Sequence, residues 1–207
     1  GIKVVHVVSS SKFALKAQTA GVDAVVAEGF EAGGHNGREE TTTLVLVPEV
    51  CRKVTIPVIA AGGIATGRAM YATMALGAEG VQMGSRFIAT EEATVHSLFK
   101  QEVLKAKEGD TVLTLKELSP VRLLKNPFYK QVEALYQQRE ATPENLKQLL
   151  GKGRTKLGMY EGDLQEGELE IGQVSSLIQD IKTVKEIFEE VLEEFQQTNS
   201  LMNQLIN

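Results

Sequence analysis

The sequence predicts an α/β protein organised on a parallel sheet, and three observations carry that expectation. Short β-branched or apolar runs alternate with helical patterns four times in the first hundred residues, with brief connections between them. The runs are continuously apolar rather than alternating, as expected of strands buried on both faces. Three successive runs are each followed by a glycine-bearing turn, at 29–37, 62–63 and 84–85. Those turns lie on the C-terminal side of their strands, where α/β proteins bind ligands.

The elements follow in order. Residues 3–8 are a β-branched run, read as an interior strand. Ser9, Ser10 and Ser11 offer N-caps for a helix over 13–20, which Gly21 stops. Residues 23–28 form the second strand, and 41–53 the next helix, with Leu44, Leu46, Val47 and Val50 on its apolar side. Pro48 predicts a break within it. Residues 57–61 are the third strand, Thr66 caps a helix from 67 to 76, and 80–84 are the fourth strand.

After Thr90 the pattern changes. Residues 91–107 read as helix, 110–118 as a short strand and turn, and 119–126 as a loop. Helices follow at 128–139 and, with Thr142 as cap and Pro143 at its first position, at 143–150. Residues 151–173 are glycine-rich and irregular, and 174–206 return to helix with Val184, Ile187, Val191, Leu192 and Phe195 in one stripe. This divides the chain into 1–100 and a mostly helical extension, 101–207.

Composition narrows the function. Of 207 residues, 43% are hydrophobic and 24% charged, as in a globular domain. The net charge of −5 and the interleaving of Lys and Arg with acids argue against nucleic acid and against an anionic membrane surface. No apolar run approaches the roughly 20 residues a membrane span needs. The single cysteine, Cys51, forms no internal disulfide and fits a reducing cytoplasm. The chain opens directly into a strand without an initiating methionine, which reads as a cut inside a fold.

The candidate chemistry gathers at 28–37, where Gly29, Gly33, Gly34 and Gly37 surround His35. Glycines let a backbone approach a ligand closely, and a histidine there serves as acid or base near neutral pH. Glycines also simply make tight βα turns, but three such turns on one edge favour a ligand site. Gly62-Gly63 and Gly84-Ser85 can grip a phosphate through amides and the Ser85 hydroxyl. There is neither a dinucleotide fingerprint nor a P-loop. Glu28 and Glu31 either contact a ligand hydroxyl or fix the loop; Arg86 either braces acids near the site or is a surface ion pair. His6 reads as a core or barrel-lining group, His96 as a surface or packing residue and Cys51 as a buried helix residue. The three histidines lack metal-ligand spacing, so no metal is expected.

Three blocks, E-G-F-E-A-G-G-H-N-G (28–37), P-V-I-A-A-G-G-I (57–64) and G-A-E-G-V-Q-M-G-S-R-F (77–87), closely resemble the flavin-dependent nitronate monooxygenase family, once called 2-nitropropane dioxygenases. That family includes the FMN-containing enoyl-[acyl-carrier-protein] reductases. The stretch M-Y-E-G-D-L-Q-E-G-E-L-E-I-G-Q (159–173) is similar to an insert of the reductase branch. The resemblance implies a TIM-type (β/α)₈ barrel with FMN at its C-terminal mouth. Residues 1–100 would hold the last four β/α units, and the first half of the barrel would be a missing partner. It implies His35 as the active-site histidine and Gly62, Gly63, Gly84 and Ser85 as the phosphate grip. Glu28, Gly33 and Gly34 would lie along the flavin, with Gln82 and Met83 at the last strand end. The implied activity is oxidation of alkyl nitronates by O₂ to carbonyl compounds and nitrite. The alternative is an NAD(P)H-dependent enoyl reductase, and a further one is an inactive half-barrel; a homodimer is compatible with each.

Overall fold

The computed structural model describes residues 1–206. Its first half is a four-stranded parallel sheet of β1 (Val5–Val8), β2 (Ala24–Glu28), β4 (Val58–Ala61) and β5 (Gly80–Gln82), in that order. Between them run α1 (Ser11–Thr19), α2 (Thr43–Cys51) and α3 (Gly67–Ala75), while β3 (Gly34–His35) leaves this sheet for another. Ser10 caps α1, and Thr66 caps α3 by accepting from the Ala69 amide at 3.1 Å. Val8, Val25, Ala27, Val58 and Ala60 project from the sheet onto Ala14, Ala17, Leu46, Val47 and Val50 of the helices. Burying each large aliphatic of this set is worth roughly 1.5–3 kcal/mol.

The strand expected over 3–8 is shorter, Val5–Val8, and stands at the end of the sheet in this chain. Val5 and Val7 are about half exposed and His6 is exposed, so of the two readings, core or barrel-lining, His6 is not packed in a core of this chain. An apolar run records that a strand has an apolar neighbour on each face, but not whether a second strand lies beside it. Pro48 does not break α2: the helix runs through it with Val47 and Val50 fully buried. Proline removes only the amide that would reach Leu44, and Leu44 is exposed, contrary to the expected stripe.

Beyond β5 come the short α4 (Ser85–Ile88) and α5 (Ser97–Lys105). The helix expected from 91 starts only at 97, because Lys100 Nζ and the Ala93 amide pin a turn at Thr90, and His96 acts as N-cap through Nδ1 at 3.2 Å from the Leu98 amide. The loop expected over 119–126 contains β7 (Val121–Leu124), paired antiparallel with β6 (Thr111–Thr114) and with β3. Then follow α6 (Pro127–Gln137), capped by Asn126, and α7 (Pro143–Leu150), capped by Thr142. The glycine-rich stretch includes one π-helical turn, Lys156–Tyr160, and a bridge from Glu170 to Leu123. A 3-10 turn, Gln173–Leu177, precedes the long α8 (Val184–Ile206).

The segments 1–100 and 101–207 interlock. The β3-β7-β6 sheet takes one strand from the first and two from the second, and α8 lies across α3. The crossing depends on Gly67, whose missing side chain lets α3 meet the backbone of Val191 and Phe195. Glu194 of α8 accepts from the Gly67 amide at 2.7 Å, and Phe195 packs on Tyr71. Ile187 is buried there, but Leu192 is half exposed and lies off the stripe. Arg86 is buried and paired with Asp180 at 2.6 Å, which excludes the surface reading. Gly67→Ala is expected to lower unfolding stability by about 1–3 kcal/mol in denaturant titrations through overpacking, whereas Gly80→Ala, which meets open space, should change it little.

Candidate active site

The loop after β2 is held by its neighbours on three sides. The Gly29 amide donates to the Ala61 carbonyl at 2.9 Å and the Phe30 amide to that of Thr41 at 2.8 Å. Thr42, at the N-cap of α2, makes no side-chain cap bond. Glu31 replaces it: its carboxylate accepts from the Thr43 amide at 3.0 Å and from the Thr43 hydroxyl at 2.9 Å. A negative charge there also meets the positive end of the helix. Glu31 therefore fixes the loop, one of the two roles open from sequence. On the far side, Arg122 of β7 donates from Nε and Nη2 to the Phe30 carbonyl, at 3.2 and 2.9 Å, and lies over the Phe30 ring at 4.5 Å. Burial lowers the pKa of this guanidinium, with Glu31 and Glu40 opposing the shift.

Two turns face the loop. Gly62 and Gly63 have φ of 92° and 69°, a left-handed pair that side-chain-bearing residues avoid. Among the described residues, no backbone carbonyl accepts from the amides of Gly62, Gly63, Gly84 or Ser85. Ser85 Oγ accepts from the Gly172 amide at 2.9 Å, which leaves its own proton available to another acceptor.

These parts enclose a cavity of about 240 Å³. Glu28, Gly33, Gly34, Gly62, Gly63, Gln82, Gly84 and Ser85 all line it. Two expected members do not. Met83 packs against the sheet–helix core, because side chains alternate along a strand and Gln82 and Gly84 take the cavity side. His35 is exposed on β3 opposite Val121, one residue beyond the cavity-lining Gly34. Sequence reasoning missed Met159, Glu170, Ile171 and Val174, which the tail folds over the opening. The signal for them was Gly172, whose lack of a side chain lets the tail sit against Ser85 and Glu31. A larger cavity of about 880 Å³ shares Glu31, Gly62, Gly63, Ile64 and Val174, so the glycine turn is reached from two sides.

The charge pattern is one-sided. Glu28, Glu31 and Glu170 line the smaller cavity, and no Lys or Arg does. Burial raises the Glu28 pKa. Neutral amides at one end suit an anion, and carboxyls along the wall suit hydroxyl and N–H donors. Behind the wall, Glu168 is 5% exposed and burial beside Glu170 pushes its pKa up to about 7.

The chain as a whole is similar to known proteins. The family model for nitronate monooxygenase matches residues 1–194. A protein named probable nitronate monooxygenase from Staphylococcus saprophyticus is 34% identical over 98% of this chain and 58% of its own length. FabK from Thermotoga maritima is 45% identical with a TM-score of 0.93, over 99% of this chain and 64% of FabK. A nitroalkane oxidase from Streptomyces ansochromogenes is 27% identical with a TM-score of 0.77, over 98% of this chain and 60% of its own. The chain thus spans less than two thirds of the length of each.

A double-mutant cycle of Glu31→Gln and Thr43→Val should give a coupling of about 0.5–3 kcal/mol in unfolding free energy; additive losses would show that the cap is not a unit. Glu168 sets a pH dependence. Its carboxyl ionises near 4.5 when unfolded and near 7 when folded, so the folded chain binds the extra proton. Its contribution to stability is full below pH 4.5 and is lost as pH rises through about 7. Glu168→Gln should flatten unfolding midpoints measured across that window.

Proposed function

We propose, from the premise that the chain belongs to the nitronate monooxygenase family, that it forms one side of the FMN site of an oxidoreductase acting on alkyl nitronates. The observation that carries this reading is the meeting of four uncommitted amides, Gly62, Gly63, Gly84 and Ser85, with the glycine-lined loop 29–37 at one cavity. The donor set fits the cofactor. The amides and the Ser85 hydroxyl would hold the phosphate, with no cation needed. Glu28 and the Gly33–Gly34 backbone would run along the sugar chain and ring, beside Gln82. Bound FMN supplies the electron transfer, and the protein supplies orientation. His35, exposed beside the cavity and without a hydrogen-bonded partner for its imidazole among the described residues, would orient the substrate or take its proton.

We further infer that the four parallel strands are the fifth to eighth of a (β/α)₈ barrel. The half-exposed Val5 and Val7 on the β1 edge support this, since such a face is otherwise unprotected. A second reading, an NAD(P)H-dependent enoyl-thioester reductase, draws on the tail. Met159 and Ile171 cover the cavity with apolar surface suited to an acyl chain, and the likeness to FabK spans nearly the whole chain.

Titration of FMN into the chain, read by quenching of flavin fluorescence, should show binding that Ser85→Ala weakens about tenfold, the loss of one hydrogen bond to a charged group. No binding would end both readings. His35→Ala should keep FMN and lose turnover. Anaerobic bleaching of the bound flavin by a nitronate alone supports the monooxygenase; rapid bleaching by NADPH supports the reductase.

A further inference from the structure

The tail that closes the cavity carries two carboxyls joined by one hydroxyl. Glu170 lines the cavity. Thr155 Oγ1 lies 2.6 Å from Glu170 Oε1 and 3.3 Å from Glu168 Oε2. Glu168 is 5% exposed, and its other oxygen, Oε1, has no hydrogen-bond partner among the described residues. A buried carboxylate with an orphaned oxygen is costly, whereas a neutral acid is tolerated.

A threonine hydroxyl donates one proton only. The shorter contact assigns that proton to Glu170. For the second contact to be a hydrogen bond, Glu168 must be the donor, with its own proton aimed at Thr155 Oγ1. The surroundings agree. Glu170 faces Glu168 as a like charge, and Arg154, the cation that opposes it, is itself drawn to Glu166 at 3.0 Å. With these, burial raises Glu168 to about 7.

We propose that Glu170 is a proton donor to the ligand held in this cavity, and that Thr155 and Glu168 are positioning residues that keep a proton one hydroxyl away from it. The acceptor is an anionic carbon or oxygen centre, such as a nitronate or the enolate of a thioester. In the step, the Glu168 O–H bond breaks as its proton moves to Thr155 Oγ1, and the Thr155 proton moves to the Glu170 carboxylate at Oε1. The O–H bond so formed on Glu170 then breaks as a C–H or O–H bond forms on the ligand, which leaves Glu170 a carboxylate again. Glu168 is left as a carboxylate and regains a proton from water. No electrons leave or enter the pair. The proposal rests on the reading of the cavity as the FMN and substrate site.

The test uses the protein loaded with FMN, without oxygen, and ethyl nitronate as probe. Conversion of the nitronate to nitroethane follows protonation at carbon and needs no redox step. The wild type should accelerate it. Glu170→Gln should abolish the acceleration. Thr155→Val and Glu168→Gln should slow it about tenfold and shift its pH profile, and Thr155→Ser should restore it. In parallel, carbon-13 shifts of labelled glutamate carboxyls should show one group titrating near neutrality, lost in Glu168→Gln. A protein that binds FMN but leaves the nitronate unaffected overturns the proposal, as does a Glu170→Gln variant equal to wild type. Failure to bind FMN overturns the cavity reading alone. The carboxyl titration then decides the pair: no group titrating near neutrality overturns it, and a neutral titration lost in Glu168→Gln upholds it.

Discussion

The cavity depends on one carboxylate, Glu31. Its side chain caps α2 at Thr43, its Cβ lies against Gly63, and its backbone carbonyl accepts from the Gln173 amide at 2.9 Å. One residue thus joins the loop after β2, the turn after β4 and the returning tail. Thr43 extends the junction, with its hydroxyl near the carbonyls of Ala61 and Gly62. A charge serves here because a helix N-terminus offers amides that are otherwise unpaired, and the carboxylate meets both the amide and the dipole.

Around that junction, buried charges are held by fixed donors and acceptors rather than by solvent. Arg122 is 2% exposed and spends its donors on the Phe30 carbonyl and on Thr111. Arg86 is tied to Asp180. These contacts brace the loop and the short helix α4 from outside the cavity, so the cavity itself is left with amides and acids. That division explains how a site free of Lys and Arg on its walls can still present donors to an anion.

The alternating β/α order, the caps at Ser10, Thr66 and Thr142, and the glycine turns on one edge were legible in the sequence because each is a local matter of backbone sterics and short-range hydrogen bonding. Eight of the expected residues line one cavity for the same reason: they sit at the strand ends and in the turns that follow. Met83 faces the sheet–helix core instead of the cavity, because strand alternation separates it from Gln82 and Gly84. His35 stands beside the cavity instead of lining it, by the same alternation within β3.

By itself, then, the sequence determined the strand-turn-helix units, the turns that face a ligand and the family resemblance. Tertiary structure alone decided that Val5–Val8 lies at the end of its sheet, that 121–124 form a strand, and that Glu170 and Ile171 line the cavity together with Glu28 and residues 31–34. The physical reason is range. Propensity, capping and glycine sterics act over a few residues, whereas the partners of Arg122 and Gly172 lie 92 and 87 positions away and are chosen only when the chain packs.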